Sequence, residues 1–175
     1  MTGNKRPAAL EEAREEFLAQ WGALGSAWGV NRTMSRIHAL LMISRESLTT
    51  DEIMEDLEIS RGNAHANIKE LVSWGLVRPV LRKGVRKDYY EAEKDVWKVV
   101  RLISRQRRRK ELEPAVEVLG DCLDRTRGLR DAESKAFREQ LKELQEFAQL
   151  ADRVLERVGR EEVGRVLPWL VKFLK

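Results

Sequence analysis

The chain is short of the residues on which most active sites are built. It has one cysteine, Cys122, and two histidines, His38 and His65, in 175 residues. A lone cysteine excludes an intrachain disulfide and fits a reducing compartment. No pair among these three residues has metal-ligand spacing, so no structural zinc is expected. The sequence contains no P-loop, no GxSxG elbow and no dinucleotide fingerprint. With no catalytic constellation either, the chain is read as not an enzyme, and no cofactor is expected. No apolar run approaches ~18 residues, so no membrane span is expected. The opening MTGNKRPAALEEAREE has no apolar core of the kind a secretory signal needs. These features together point to the cytoplasm.

Charge, by contrast, is plentiful and unevenly placed. Asp, Glu, Lys and Arg make up 35% of the chain, for a net charge of only +4. Residues 60–110 hold 15 Lys/Arg against 5 Asp/Glu, a net of +10, and the remainder nets −6. A basic segment inside an otherwise acidic chain is the electrostatic footprint of a polyanion partner.

That basic segment follows a helix-turn-helix pattern. Residues 1–8 form a polar tail. Leu10, Ala13, Phe17, Trp21 and Leu24 recur at helical spacing and predict a first helix ending near Gly25. Thr33 is a candidate cap for a second helix carrying Met34, Ile37, Leu40, Leu41 and Ile43. Thr49 and Glu52 fit a capping box, opening a helix that buries Ile53 and Leu57. After the turn EIS, Ser60 caps a helix with Ala64, Ile68 and Leu71 inward, and Gly75 stands where a left-handed residue is wanted. Val77–Leu81 and Val85–Tyr90 read as two strands joined around Lys83-Gly84. Pro79 lacks a ladder donor, which sends the first of them to an edge.

The outer face of the 60–74 helix carries Gly62, Ala66, Lys69 and Ser73, flanked by Asn63, His65 and Asn67. Small and polar groups at the N-terminal end let a helix approach base edges and offer donors and acceptors there. Ser60, Arg61 and the free first-turn amides suit a phosphate. Asn63 or Asn67 suits adenine. Arg82, Lys83, Arg86 and Lys87 cluster at the hairpin tip, where four like charges repel one another and gain nothing locally. They fit a phosphate backbone or a minor groove. The bland readings are a solvated helix face and a charged tip that blocks edge pairing. Neither explains why helix and tip are both basic and one turn apart. The run from Arg105 to Lys110 is open between a nucleic-acid patch and a helix face paired with Glu111 and Glu113.

Beyond the hairpin, Asp95 caps a long helix through Trp97, Val100 and Ile103, which Pro114 kinks or restarts. Cys122 falls on the periodic apolar face that follows and reads as a small buried residue. A further helix opens near Asp131. Its residues Phe137, Leu141, Leu144, Ala148, Ala151, Leu155 and Val158 alternate steps of four and three, a heptad seam that predicts dimerisation. A last short helix would hold Val166, Leu167, Leu170 and Phe173. The expected fold class is mainly α with a small β wing. Its expected parts are an N-terminal tail and helix over 1–30, a winged helix-turn-helix domain over 31–94 and a helical dimerisation region over 95–175.

The stretches WGVNRTMSRIHALLMIS and LTTDEIMEDLEISRGNAHANIKELVSWGLVRPVLRKGVRKDYYEAE resemble the GbsR-like branch of the MarR superfamily of winged-helix transcriptional regulators. The joint pattern of ISRGNA, ELVSWGLV and GVRKDYY carries the resemblance, over roughly residues 12–120. It implies a homodimer whose N-terminal helix, with Phe17 and Trp21, and C-terminal helices form the interface. It implies binding to double-stranded DNA at a palindromic operator, usually as a repressor, with recognition helices in successive major grooves. His65 stands where the family often has a small hydroxyl residue, which puts base preference in question. Some members respond to small molecules. That motivates a pocket for a quaternary ammonium effector walled by Trp28 and Trp97 through cation–π contacts. From a different class, the alternative is a protein-interaction module that uses the winged helix and the 137–158 seam to hold another protein.

Overall fold

Apolar residues at helical spacing between 34 and 71 set the centre of the first of two units. A computed structural model describes residues 7–82, 84 and 87–158. The chain divides into units Met1–Lys94 and Asp95–Lys175.

In the first unit, helix α2 (Arg32–Ile43) is the central element, with Ile37, Ala39 and Leu40 fully buried. Its cap is Asn31 and not Thr33: the Asn31 carboxamide oxygen accepts from the amides of Thr33 at 2.9 Å and Met34 at 3.1 Å. At the other end Lys94 Nζ donates to the carbonyls of Leu41, Met42 and Ser44 at 2.9, 2.8 and 2.5 Å. A cation there satisfies orphan carbonyls and complements the helix dipole. Helix α1 (Ala8–Ala27) packs on α2 and runs past Gly25. Gly25 is a point of close approach, since a Cβ there would collide with the Ser35 side chain. The left-handed residue after α1 is Gly29, at φ +74°.

Helix α3 (Thr50–Leu57) opens on the expected capping box, with Thr49 Oγ1 accepting from Glu52 N at 3.2 Å and Glu52 Oε2 accepting from Thr49 N at 2.7 Å. Glu58, left-handed at φ 53°, turns the chain toward helix α4 (Arg61–Ser73). Ile53, Ala64, Ile68 and Leu71 close the core beneath α2, each no more than 2% exposed. Gly75 takes φ +74° as expected.

Three strands make the wing: β1 (Leu48–Thr49), β2 (Val77–Val80) and β3 (Tyr89–Ala92), in antiparallel order β1-β3-β2. Pro79 lies on the edge strand β2. Strand β1 has no counterpart in the sequence reading, because Thr49 serves twice, pairing with Tyr89 and capping α3. The second long strand also pairs later than Val85–Tyr90. Its paired residues alternate so that Tyr90 and Ala92 are buried, and that period of two sets the register Val77↔Ala92.

The second unit runs α5 (Val96–Arg107), a π-helical turn (Arg108–Leu112), α6 (Glu113–Thr126) and α7 (Ala132–Val158). Asp95 caps α5 through the amides of Trp97 at 2.9 Å and Lys98 at 3.1 Å. Pro114 sits in the first turn of α6. It has no N–H, and its ring displaces the carbonyl four residues back, which widens the preceding turn to π geometry. Asp131 accepts from Ser134 N at 2.8 Å to open α7. Backbone and side-chain hydrogen bonds from Ser134 hold its carboxyl below the usual range. Cys122 is half-buried. The expected short helix with Val166, Leu167, Leu170 and Phe173 lies outside the described residues. Among the described residues no helix is long and apolar enough to cross a membrane.

Candidate nucleic-acid interface

Ala64, Ile68 and Leu71 anchor α4 to the core, so the opposite face of the same helix points outward. Arg61, Gly62, Asn63, His65, Ala66 and Lys69 are all exposed. Ser60, also exposed, caps the helix with its hydroxyl accepting from Asn63 N at 3.4 Å.

Asn67 departs from its expected place. At about 100° per residue it falls some 60° from Ala64 and one turn before Leu71, nearer the buried side than the outer one. It is 8% exposed, and its Nδ2 donates to Asn63 O at 2.8 Å and to Asn63 Oδ1 at 2.7 Å. Asn63 Nδ2 in turn donates to Thr33 Oγ1 at 3.5 Å. The two asparagines form a relay from α4 to the start of α2 and do not present two free carboxamides. The exposed functional groups toward the N-terminal end of the face are Arg61, Asn63, His65 and Lys69, with the small Gly62 and Ala66 between them.

The described wing cations, Arg82 and Lys87, are not bare. Arg82 Nη2 donates to Ser47 Oγ at 2.9 Å and lies 3.7 Å from a Glu46 carboxylate oxygen, with its guanidinium 4.1 Å from the centre of the Tyr89 ring. Stacking and a hydroxyl together aim an arginine without burying it. Lys87 Nζ reaches Asp51 Oδ2 at 3.3 Å. Asp51 Oδ1 also accepts from Arg61 Nη2 at 2.7 Å. Two of the four clustered charges thus have partners within the unit, contrary to the picture of a purely repelling tip. Lys83 and Arg86 lie outside the described residues. Gly84 takes φ +81° at the turn, the left-handed conformation a glycine supplies at no steric penalty.

Asp51, Glu46 and Ser47, which hold the candidate cations, are residues that the sequence analysis passed over. Two carboxylates in the first turn of α3 are explained by the helix dipole alone, and nothing local ties Asp51 to partners ten and 36 residues away. The carboxyl of Glu52 is held below its usual range, first by the backbone hydrogen bond from Thr49 and then by its hydroxyl, with the Lys87 and Arg82 charges adding to it.

In the second unit, the 105–110 run pairs within the helices. Arg107 lies 3.3 Å from Glu111, and Arg108 lies 3.5 Å from Glu113 and 2.7 Å from Asp152 of α7. Of the heptad residues, Ala148 is buried, Leu141, Ala151 and Leu155 are half-buried, and Phe137 and Leu144 are each 47% exposed. In the first unit, Phe17 packs on Trp21 with ring centroids 5.4 Å apart, and Trp21 is exposed. Trp28 is 65% exposed in that same unit. Trp97 is half-buried in the second. Among the described residues no group of His, Cys, Asp and Glu could hold a metal ion.

Residues 28–87 match the MarR family model. The chain is 29% identical to the HTH-type transcriptional repressor GbsR of Bacillus subtilis over 98 residues, covering 56% of this chain and 54% of GbsR. It is 26% identical to the repressor OpcR of the same organism, over 91% of each chain. A further match, to the B. subtilis regulator YvaV, is 27% identical and covers half of each chain. The chain thus spans about half the length of GbsR and of YvaV. A crystal structure of a transcriptional regulator shares the fold, with a TM-score of 0.64 at 18% identity over 86% of this chain and 98% of that one. Residues 28–87, which hold the helix-turn-helix and lead into the wing, are thus similar to the MarR family domain, in a chain similar to regulators of the GbsR and OpcR kind.

Proposed function

We propose that this protein is a DNA-binding transcription regulator that acts as a homodimer and represses its target genes. The observation that carries the reading is the shared outward side of α4 and the wing. Arg61 and Lys87 converge there on one carboxylate, beside the exposed His65 and Lys69. In this reading α4 enters the major groove with His65 and Lys69 toward base edges, while Arg61, Arg82 and Lys87, together with Lys83 and Arg86, meet phosphates or the minor groove. Repression is supported by the names of GbsR and OpcR.

Homodimerisation is supported by two exposed apolar stripes. On α1, Leu10, Trp21 and Leu24 are between 39% and 55% exposed. On α7, Phe137, Leu144, Phe147, Leu150 and Val154 are between 47% and 71% exposed. Faces of this kind on long helices mark association surfaces. A response to a small molecule is proposed as well, tested by following tryptophan emission during titration with choline and glycine betaine. A saturable change supports it, and a flat response to both removes it.

Fluorescence anisotropy of a labelled duplex from upstream of the protein's own gene, across a salt series, tests the main reading. Preferential, salt-sensitive binding over an unrelated duplex is expected. Replacing Arg82 or Lys87 by Gln should weaken binding to both duplexes and flatten the log–log salt slope by about one unit each. His65→Ser should change the ratio between duplexes. Absence of binding at low salt would overturn the proposal.

A further inference from the structure

Asp51 belongs neither to the recognition helix nor to the wing hairpin, yet it touches a cation from each. Its Oδ1 takes Arg61 Nη2 at 2.7 Å and its Oδ2 takes Lys87 Nζ at 3.3 Å, so each carboxylate oxygen is committed to a different element. All three side chains are open to solvent, with Arg61 72%, Lys87 61% and Asp51 48% exposed. The Lys87 hydrogen bond, followed by the Arg61 charge, holds the Asp51 carboxyl below its usual range, so it is ionised throughout the neutral region.

A carboxylate gripping two exposed cations occupies the donors that a DNA phosphate would use. Exposed pairs are weak enough to be exchanged, because both partners are rehydrated easily. Phosphates along a duplex can therefore displace the carboxylate, but binding then gains less than two free cations would give. The carboxylate also leaves a negative charge beside the polyanion.

We propose that Asp51 is an internal counter-charge that competes with DNA phosphates for Arg61 and Lys87, and so sets the sequence-independent part of the affinity. The proposal rests on the DNA-binding reading above. It assigns Asp51 no contact with bases, so preference between duplexes stays where His65 and Lys69 set it.

Asp51→Asn keeps the side-chain shape and removes the charge. Against both the upstream and the unrelated duplex it should bind roughly tenfold more tightly than wild type near 0.1 M salt, with a salt slope steeper by about one to two units. The ratio between the duplexes should not change. In an Arg61→Gln, Lys87→Gln background the same substitution should have little effect. Asp51→Ser, which also suits a helix first turn, provides a second variant, and circular dichroism confirms that each is folded. Unchanged or weakened binding by folded Asp51→Asn, with wild type binding normally, would overturn the inference alone. Equal tightening in the doubly substituted background would also overturn it, since loss of any negative charge would then suffice. A wild-type chain that binds neither duplex would overturn the DNA reading, and this inference with it.

Discussion

The two units bury their apolar residues very differently. In the first, Ile37, Ala39, Leu40, Ile53 and Ala64 are wholly inaccessible. Among the described residues of the second, Val99, Ser104 and Ala148 are the most buried, at 7–8%. There Phe147 is 71% exposed and Val118 60%. The first unit completes a core around α2, and its surface helix α4 is held by that core. The second is a set of amphipathic helices whose apolar stripes are wider than their own neighbours cover. Helix α1 shares this property, although it packs on α2 within the first unit. A domain that must present one helix to a partner at a fixed angle needs a closed core beneath it. Helices that associate with another chain need the reverse.

Truncation of a core side chain is the strongest way to break this contrast. Leu40→Ala should destabilise the first unit by about 2–5 kcal/mol, read as a shift in urea midpoint at constant slope. Leu150→Ala on α7, assayed in dilute solution, should cost well under ~1 kcal/mol because its side chain is already half in water. Similar losses at both positions would erase the distinction.

Acid should act mainly through the first unit. His38 is 5% exposed, its Nε2 has no hydrogen-bond partner among the described residues, and burial pushes its pKa down from 6.5 to about 4. The denatured chain takes up a proton near pH 6.5 that the folded chain refuses until about pH 4. Stability from this group is therefore whole above pH 6.5 and is lost as pH falls toward 4, by about 3 kcal/mol in all. His38→Leu should flatten that part of the pH profile of the urea midpoint. Asp51, Glu52 and Asp131, with lowered pKa values, lose their contributions at lower pH. An unaltered profile in His38→Leu would remove the residue as the source.

Phe147→Asp sharpens the other side of the comparison. It should weaken self-association at least tenfold in sedimentation velocity and leave the unfolding of the first unit unchanged. Dimers of unchanged affinity would place the interface elsewhere. A modest effect is expected at a cap. Thr49→Ala removes the hydroxyl that accepts from Glu52 N and should cost about 1 kcal/mol.

Much of the first unit was legible because its signals are local. The Thr49–Glu52 box, Ser60, Gly75 and the inward faces of α3 and α4 each follow from spacings of three and four residues. Local reading erred where two local solutions compete. Asn31 and Thr33 are both adequate caps, and Asn31 prevails because its carboxamide reaches two amides. Gly25 looked like a helix stop, but its role is set by Ser35 of another helix. The wing hairpin was legible as a pair, whereas β1 was not, since two residues carry no periodicity.

The candidate interface divides along the same line. The basic concentration, the exposed face of α4 and the tip around Gly84 are properties of order and spacing along the chain, and the sequence alone determined them. Tertiary structure alone decided that Asn67 turns inward to Asn63, that Arg82 stacks on Tyr89, and that Asp51 joins Arg61 to Lys87. Periodicity tells which side of a helix faces the core. Pairing between charges 36 residues apart depends on where three separate elements end in space.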